Sequence, residues 1–155
     1  MEEENLASTT KGQCIFCKII TGEIKSYKVY ESDSSLVFLD HRPLLKGHCL
    51  LVPKKHFETL LDLPKELIAP IFSDVQLLAE AVEKGMEADG SFVAINTRIS
   101  QSVPHLHVHI VPRCKNDHLF SSKMIWMRKP YENEAEAKSA QEKIKDAITE
   151  IAIRK

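Results

Sequence analysis

Three histidines, His105, His107 and His109, alternate with Leu106, Val108 and Ile110 between Ser102-Val103-Pro104 and Val111-Pro112-Arg113. Imidazole is largely neutral at pH 7, so it can serve as a nucleophile, a general base or a metal ligand. The period-two pattern predicts a β-strand with all three rings on one face and the aliphatic side chains on the other. Ring-bearing neighbours would lie about 6.5–7 Å apart along the strand, close enough to act on one anionic group. Pro104 and Pro112 are expected to bracket the hydrogen-bonded ladder. Such a row could be a polar face, a metal site or a catalytic row. Strict alternation against an aliphatic face favours chemistry.

The rest of the chain must place that row. With 155 residues it suits one domain with a sizeable core. The formal net charge of −1 supplies no basic field for nucleic acid. Met1 to Lys11 is acidic and polar, without the apolar stretch of a secretory signal. No apolar run approaches the ~20 residues of a membrane span. A reducing cytoplasmic setting, extending to the nucleus, is therefore expected, which turns the four cysteines away from disulfides. Cys14-x-x-Cys17 then reads as metal-binding or as core thiols. Residues 1–12 are expected to form a disordered tail and residues 13–155 a single domain.

Cys14 to Ile20 predicts a short helix or turn, ended by Thr21-Gly22. Tyr27 to Glu31 and Leu36 to Leu39 predict two strands joined by a turn at Ser32 to Ser35. His48 to Val52 predicts a third strand, stopped at Pro53. Leu67, Ile68, Ile71, Phe72, Val75, Leu78, Ala79, Val82 and Met86 make the apolar stripe of a long helix, with Pro70 expected to start or kink it near Ala69. Ser91 to Asn96 is the strand leading back to the histidines. Ala137, Ala140, Ile144, Ile148 and Ile151 mark a C-terminal helix. Successive strands with one long intervening helix argue for an α+β fold with a mainly antiparallel sheet.

The run from Gln101 to Arg113 resembles the signature of the histidine-triad (HIT) nucleotide hydrolases and transferases. The likeness extends to Cys14-Ile15-Phe16-Cys17-Lys18-Ile19-Ile20, Phe38-Leu39-Asp40 and Gly47-His48 through His56, and so covers a core of about residues 14–113. Residues 114–155 are an extension to that core. In similar proteins the tail over residues 114–131, with Trp126, Arg128, Lys129 and Tyr131, packs near the active site or a partner subunit and tunes substrate choice. The resemblance implies a HIT-like fold, a homodimer and a purine nucleotide substrate. It assigns the nucleophile to His107, places His109 and His48 against the α-phosphate, and gives Ser102 a role at the leaving group. It puts Asp40 on the ribose hydroxyls and Asn96 near phosphate, and Gln101, just before the row, is a further substrate-binding candidate. Phe16, Ile19, Phe38 and Leu50 are candidates for the slot around the base. The chain departs from the glycine-rich pattern of many relatives with Asn96-Thr97-Arg98-Ile99-Ser100-Gln101, where backbone amides approach a phosphate less freely.

Some relatives hold structural zinc with the residues matching Cys14, Cys17, His56 and His105, and all four positions are filled here. Cys49 and Cys114 have no such match and suit packing or the surface. Lys54, Lys55 and Arg113 suit a solvated face better than a phosphate-attracting patch. The implied reaction cleaves a nucleoside α-phosphate from an amine, a second nucleotide or sulfate through a nucleotidyl-histidine, releasing the monophosphate, with no cofactor in the chemical step. Two alternatives remain. One is a zinc hydrolase using the three histidines as ligands. The other is a nucleotide-binding scaffold or regulatory protein with little turnover.

Overall fold

The computed structural model describes residues 12–121 and 128–154. The expected tail, apart from Gly12, and Trp126 lie outside those residues. The elements in chain order are helix α1 (Ile15–Ile20), strands β1 (Lys28–Glu31), β2 (Ser35–Leu39) and β3 (Cys49–Pro53), helix α2 (Lys65–Gly85), strands β4 (Gly90–Ala94) and β5 (Val108–Arg113), and helix α3 (Glu134–Arg154). The five strands form one antiparallel sheet in the order β1-β2-β3-β5-β4. The fold is α+β, as expected.

Every residue of β2 and β3 is buried, because these central strands are covered on both faces. That is why they read as continuous apolar runs instead of alternating ones. Val37, Leu39, Cys49, Leu51, Val108 and Ile110 point into the larger core with α2 and α3. Leu36, Phe38, Leu50 and Val52 point the other way and pack on Cys14, Phe16 and Ile19 of the α1 region. The histidines share this second face.

Local sequence was overridden in three places. The ladder of the histidine strand begins at Val108, not near Pro104. His105 and Leu106 are held outside the ladder, His105 by a turn bond from its N–H to Val103 O (2.8 Å) and Leu106 by a long-range bond from its N–H to Phe57 O (2.6 Å). Pro112 lies within β5, opposite Ser91 of β4 and beyond the last pair with β3, Cys49–Ile110. Only one neighbour flanks it there, so the missing N–H is tolerated.

Helix α2 also starts earlier than Pro70 suggested. It opens at Lys65 after Pro64 and runs through Pro70. The proline is exposed, so water can satisfy the Glu66 carbonyl it leaves unbonded. The third departure is the helix's apolar stripe. Ile71, Val75, Leu78 and Val82 are buried as expected, but Ile68 and Phe72 are 43% and 40% exposed.

A polar residue takes a core position instead. Asp74 is buried and accepts hydrogen bonds from the hydroxyls of Ser32 and Ser35 (2.6 Å each) and Tyr30 (3.3 Å), tying α2 to the β1–β2 hairpin. Three donors replace the water the carboxylate loses. Helix α3 buries Ala137, Ala140, Ile144, Ala147 and Ile151 and crosses α2 at Gly85. A Cβ built there would lie 2.7 Å from Lys143 O and 2.9 Å from Ile144 Cα.

Candidate active site

The histidine row is set by hydrogen bonds that leave little freedom of tautomer. His107 Nδ1 lies 2.7 Å from the carbonyl oxygen of His105. A carbonyl only accepts, so Nδ1 carries the proton and Nε2 keeps its lone pair. On the other side, Leu44 N–H donates to His48 Nδ1 (3.1 Å), which fixes the His48 proton on Nε2. His48 Nε2 in turn lies 3.0 Å from His109 Nδ1. His48 is therefore the donor, and the His109 proton sits on Nε2. That Nε2 is buried and has no hydrogen-bond partner among the described residues. An orphaned buried donor beside a nucleophile is an anion-binding feature.

Burial drives all three rings toward the neutral form. It pushes His48 down to about 3 and His109 down to about 4, and it lowers His107 as well. At neutral pH His107 therefore offers an unprotonated Nε2. The rings of His107 and His109 are 5.0 Å apart, and Phe16 meets His107 edge-on at 5.1 Å.

His48 itself is fully buried and lies behind His109, to which it donates. The β2–β3 loop brings His48 there through Asp40 N–H to His48 O (2.9 Å) and His48 N–H to Leu45 O (3.0 Å). Gly47 makes the turn possible with φ of +91°, a conformation that favours glycine.

The row opens into a cleft of about 700 Å³, a size suited to a small-molecule ligand. Phe16, Ile19, Phe38 and Leu50 line its apolar wall, and Ser102, Asp40, His107 and His109 its polar side. Asn96 and Gln101 do not line it. Gln101 instead ties its loop to a distant segment, its carboxamide accepting from Arg98 N–H within the loop (2.8 Å) and donating to Glu58 O outside it (2.5 Å). Arg98 and Ser100 adopt left-handed φ of +66° and +61°, which such local bonds help to hold.

Asp40 is buried, accepts from the Arg42 N–H (2.9 Å) and pairs with Arg128 Nη1 (3.1 Å). Burial alone would raise its carboxyl. The His48 ring, the Arg42 amide and the Arg128 guanidinium outweigh that and bring it below the ordinary value. Sequence reading placed Arg128 and Tyr131 in a tail expected near the active site or a partner subunit, without a contact for either. The Tyr131 hydroxyl accepts from Gly47 N–H (2.9 Å) and supports the turn before His48.

A second cluster adjoins the first. Cys14 Sγ is 3.4 Å from His105 Nδ1, and Cys17 Sγ is 3.3 Å from His56 Nδ1 and 3.6 Å from His105 Nδ1. All four ligand atoms lie within 4.8 Å of one another. Tetrahedral zinc with Zn–S of ~2.3 Å and Zn–N of ~2.0–2.1 Å separates its ligands by roughly 3.3–3.8 Å, so the donor set and spacing fit that ion. His105 Nε2–H donates to Pro53 O (2.9 Å), which leaves Nδ1 as the ligating atom and orients it. His105, His107 and His109 do not converge: their Nδ1 atoms are directed to the cysteines, a backbone carbonyl and His48 respectively. The three-histidine zinc hydrolase is therefore not supported by the geometry. No helix among the described residues is long and apolar enough to cross a membrane.

The HIT domain model matches residues 21–116. The chain is 38% identical over 121 residues to adenylylsulfatase HINT3 of Arabidopsis thaliana, covering 77% of this chain and 61% of that protein, less than two thirds of its length. It is 39% identical over 108 residues to adenosine 5′-monophosphoramidase HNT1 of Saccharomyces cerevisiae, covering 68% of this chain and 66% of that one. Among solved structures, a zinc-bound histidine triad family protein from Mycobacterium smegmatis aligns with a TM-score of 0.80 at 31% identity, covering 94% of this chain and 99% of the other.

Proposed function

The chain belongs to the histidine-triad (HIT) family, and from that premise we propose that it cleaves a nucleoside α-phosphate from its leaving group through a nucleotidyl intermediate on His107 Nε2. One observation carries the reading. The His107–His105 carbonyl bond leaves an unprotonated Nε2 beside the His109 Nε2–H, which has no acceptor among the described residues. Nε2 attacks phosphorus in line, the P–N bond forms and the bond to the leaving group breaks. The ring's positive charge is shared with the His105 carbonyl through Nδ1–H. His109 Nε2–H donates to a non-bridging oxygen, where negative charge gathers. Ser102, exposed at the cleft, gives the leaving group its proton. Water then breaks the P–N bond, its hydroxyl leaving on the nucleoside monophosphate and its proton returning to Ser102, which restores both neutral His107 and the serine hydroxyl.

Asp40 accepts from the ribose hydroxyls, and the Phe16, Ile19, Phe38 and Leu50 wall holds the base. The relatives named an adenylylsulfatase and an adenosine 5′-monophosphoramidase support sulfate and amine as leaving groups, beside a second nucleotide. Cys14, Cys17, His56 and His105 hold structural zinc, which supplies no chemistry to the reaction. It pins α1 and His105 in place. The chain pairs as a homodimer through the open edge of β4 and the exposed Ile68 and Phe72 of α2, apolar surface that pairing would cover.

The test is AMP release from adenosine phosphoramidate, diadenosine polyphosphate and adenylyl sulfate, by wild type and His107→Ala, with and without chelator. Release by wild type alone, surviving chelator for as long as the protein stays folded, is expected. Equal release by His107→Ala would end the nucleophile reading. Tight nucleotide binding without turnover by either protein would favour the scaffold alternative.

A further inference from the structure

We propose that Arg128 gives the cleft a second anion subsite beside Asp40, and that its ligand is a phosphate or sulfate carried on the ribose of the nucleotide. The inference rests on the nucleotide reading above and narrows its substrate class.

The first observation is charge. The chain as a whole is close to neutral, with a formal net charge of −1. Among the described residues, its cleft is lined by three permanent cations, Lys25, Arg42 and Arg128, against a single carboxylate, Asp40. The proposed mechanism engages the α-phosphate with His107 and His109 and the leaving group with Ser102, and none of the three cations has a part in it. A cleft lined mainly by one sign of charge gathers ligands of the other.

The second observation is how Arg128 is held. Its Nη1 donates to Asp40 Oδ2 (3.1 Å) and to Arg42 O (2.6 Å). Neither Nε nor Nη2 has a protein acceptor among the described residues. A guanidinium has five N–H donors in a rigid plane, so one end is anchored, and among the described residues nothing takes the other. That arrangement suits bidentate capture of a tetrahedral oxyanion. The side chain is 39% exposed, so a ligand can reach it.

The third observation is position. Arg128 sits on the carboxylate that the nucleotide reading assigns to the ribose hydroxyls. An acidic residue for those hydroxyls with an arginine for a phosphate in their place is how dinucleotide sites separate ligands with and without a ribose phosphate. Arg128 also lies outside residues 21–116, the part matched to the family, so the feature belongs to this chain's extension.

The test is calorimetric binding of AMP, ADP, adenosine 3′,5′-bisphosphate and its 2′,5′ isomer to the full-length metal-loaded protein. Wild type, Arg128→Gln and Arg128→Lys are compared, each checked by thermal unfolding. Wild type should bind a ribose bisphosphate about tenfold or more tighter than AMP, as expected for added charge-assisted bonds. Arg128→Gln should bring that ratio close to one, and Arg128→Lys, which keeps the charge without the fork, should retain part of it. If Arg128 only positions Asp40, Arg128→Gln weakens both ligands equally and the ratio persists, which overturns the proposal. An Arg128-dependent preference for ADP instead places the anion on the leaving-group side and overturns the ribose assignment. AMP binding with no preference among the ligands rejects the subsite alone. No binding of AMP at all rejects the nucleotide reading together with it.

Discussion

His48 Nε2–H donates to His109 Nδ1 across 3.0 Å, and the Leu44 N–H on the far side of the His48 ring fixes the direction of that bond. A backbone amide cannot reverse its role, so a main-chain group in the β2–β3 loop determines which His109 nitrogen presents a proton to the cleft. His48 is expected to act through His109 without touching substrate.

His48→Ala should therefore lower kcat about 10²-fold, the order seen on loss of one oriented donor to a developing anion, while KM moves far less. Steady-state kinetics on the folded variant checks this. A rise in KM with kcat unchanged would put His48 in ground-state binding instead.

Metal removal should weaken nucleotide binding as well as lower Tm. Helix α1 has only six residues and no side-chain N-cap, too short to hold itself. Its Phe16 lies between Cys14 and Cys17 and touches both Phe38 and His107. With zinc gone, or in Cys14→Ser, AMP affinity measured by calorimetry should fall while the circular dichroism of the sheet persists. Unchanged affinity would separate the metal centre from the base slot.

Gly85→Ala should destabilise the fold by about 1–3 kcal/mol. In an exposed helix the same change stabilises by about 0.5–1 kcal/mol. Here the new Cβ meets the backbone of α3 at Lys143 and Ile144, which cannot yield as a side-chain end could, so overpacking wins. Urea unfolding gives the sign directly, and a stabilised variant would refute the close helix crossing.

Stability should fall as pH drops from 7.5 to 5. His109 at about 4 and His48 at about 3 are held down by burial in the fold, whereas unfolded histidines titrate near 6.5. The unfolded chain takes up protons first, so the stability these neutral rings provide is whole above that value. It is lost as pH falls toward the folded values. Each ring that stays neutral contributes about 2 kcal/mol over this interval. His109→Gln should show a shallower pH dependence in matched metal-loaded and chelated melts. An identical slope would mean that the ring is not held neutral.

What could be read from the sequence were the local repeats and their chemistry. Alternation in His105 to Ile110 separates imidazoles from aliphatics, and the structure keeps that division although pairing starts only at Val108. The apolar runs of β2 and β3 and the periodic stripes of α2 and α3 follow from side-chain spacing, which is a property of the chain itself. The candidates Phe16, Phe38, Asp40, Ser102, His107 and His109 do line one cleft, and Cys14, Cys17, His56 and His105 do converge.

Only the tertiary structure decided which groups share a hydrogen bond or a surface. It moved His48 behind His109, turned Gln101 into a loop brace, exposed Ile68 and Phe72, buried Asp74 among three hydroxyls and brought Arg128 to Asp40 from 88 residues away. Residue type and period specify what a side chain can do and which face it takes. Its partner depends on where distant segments pack and on which polar groups lose their water there, and neither is written in neighbouring residues.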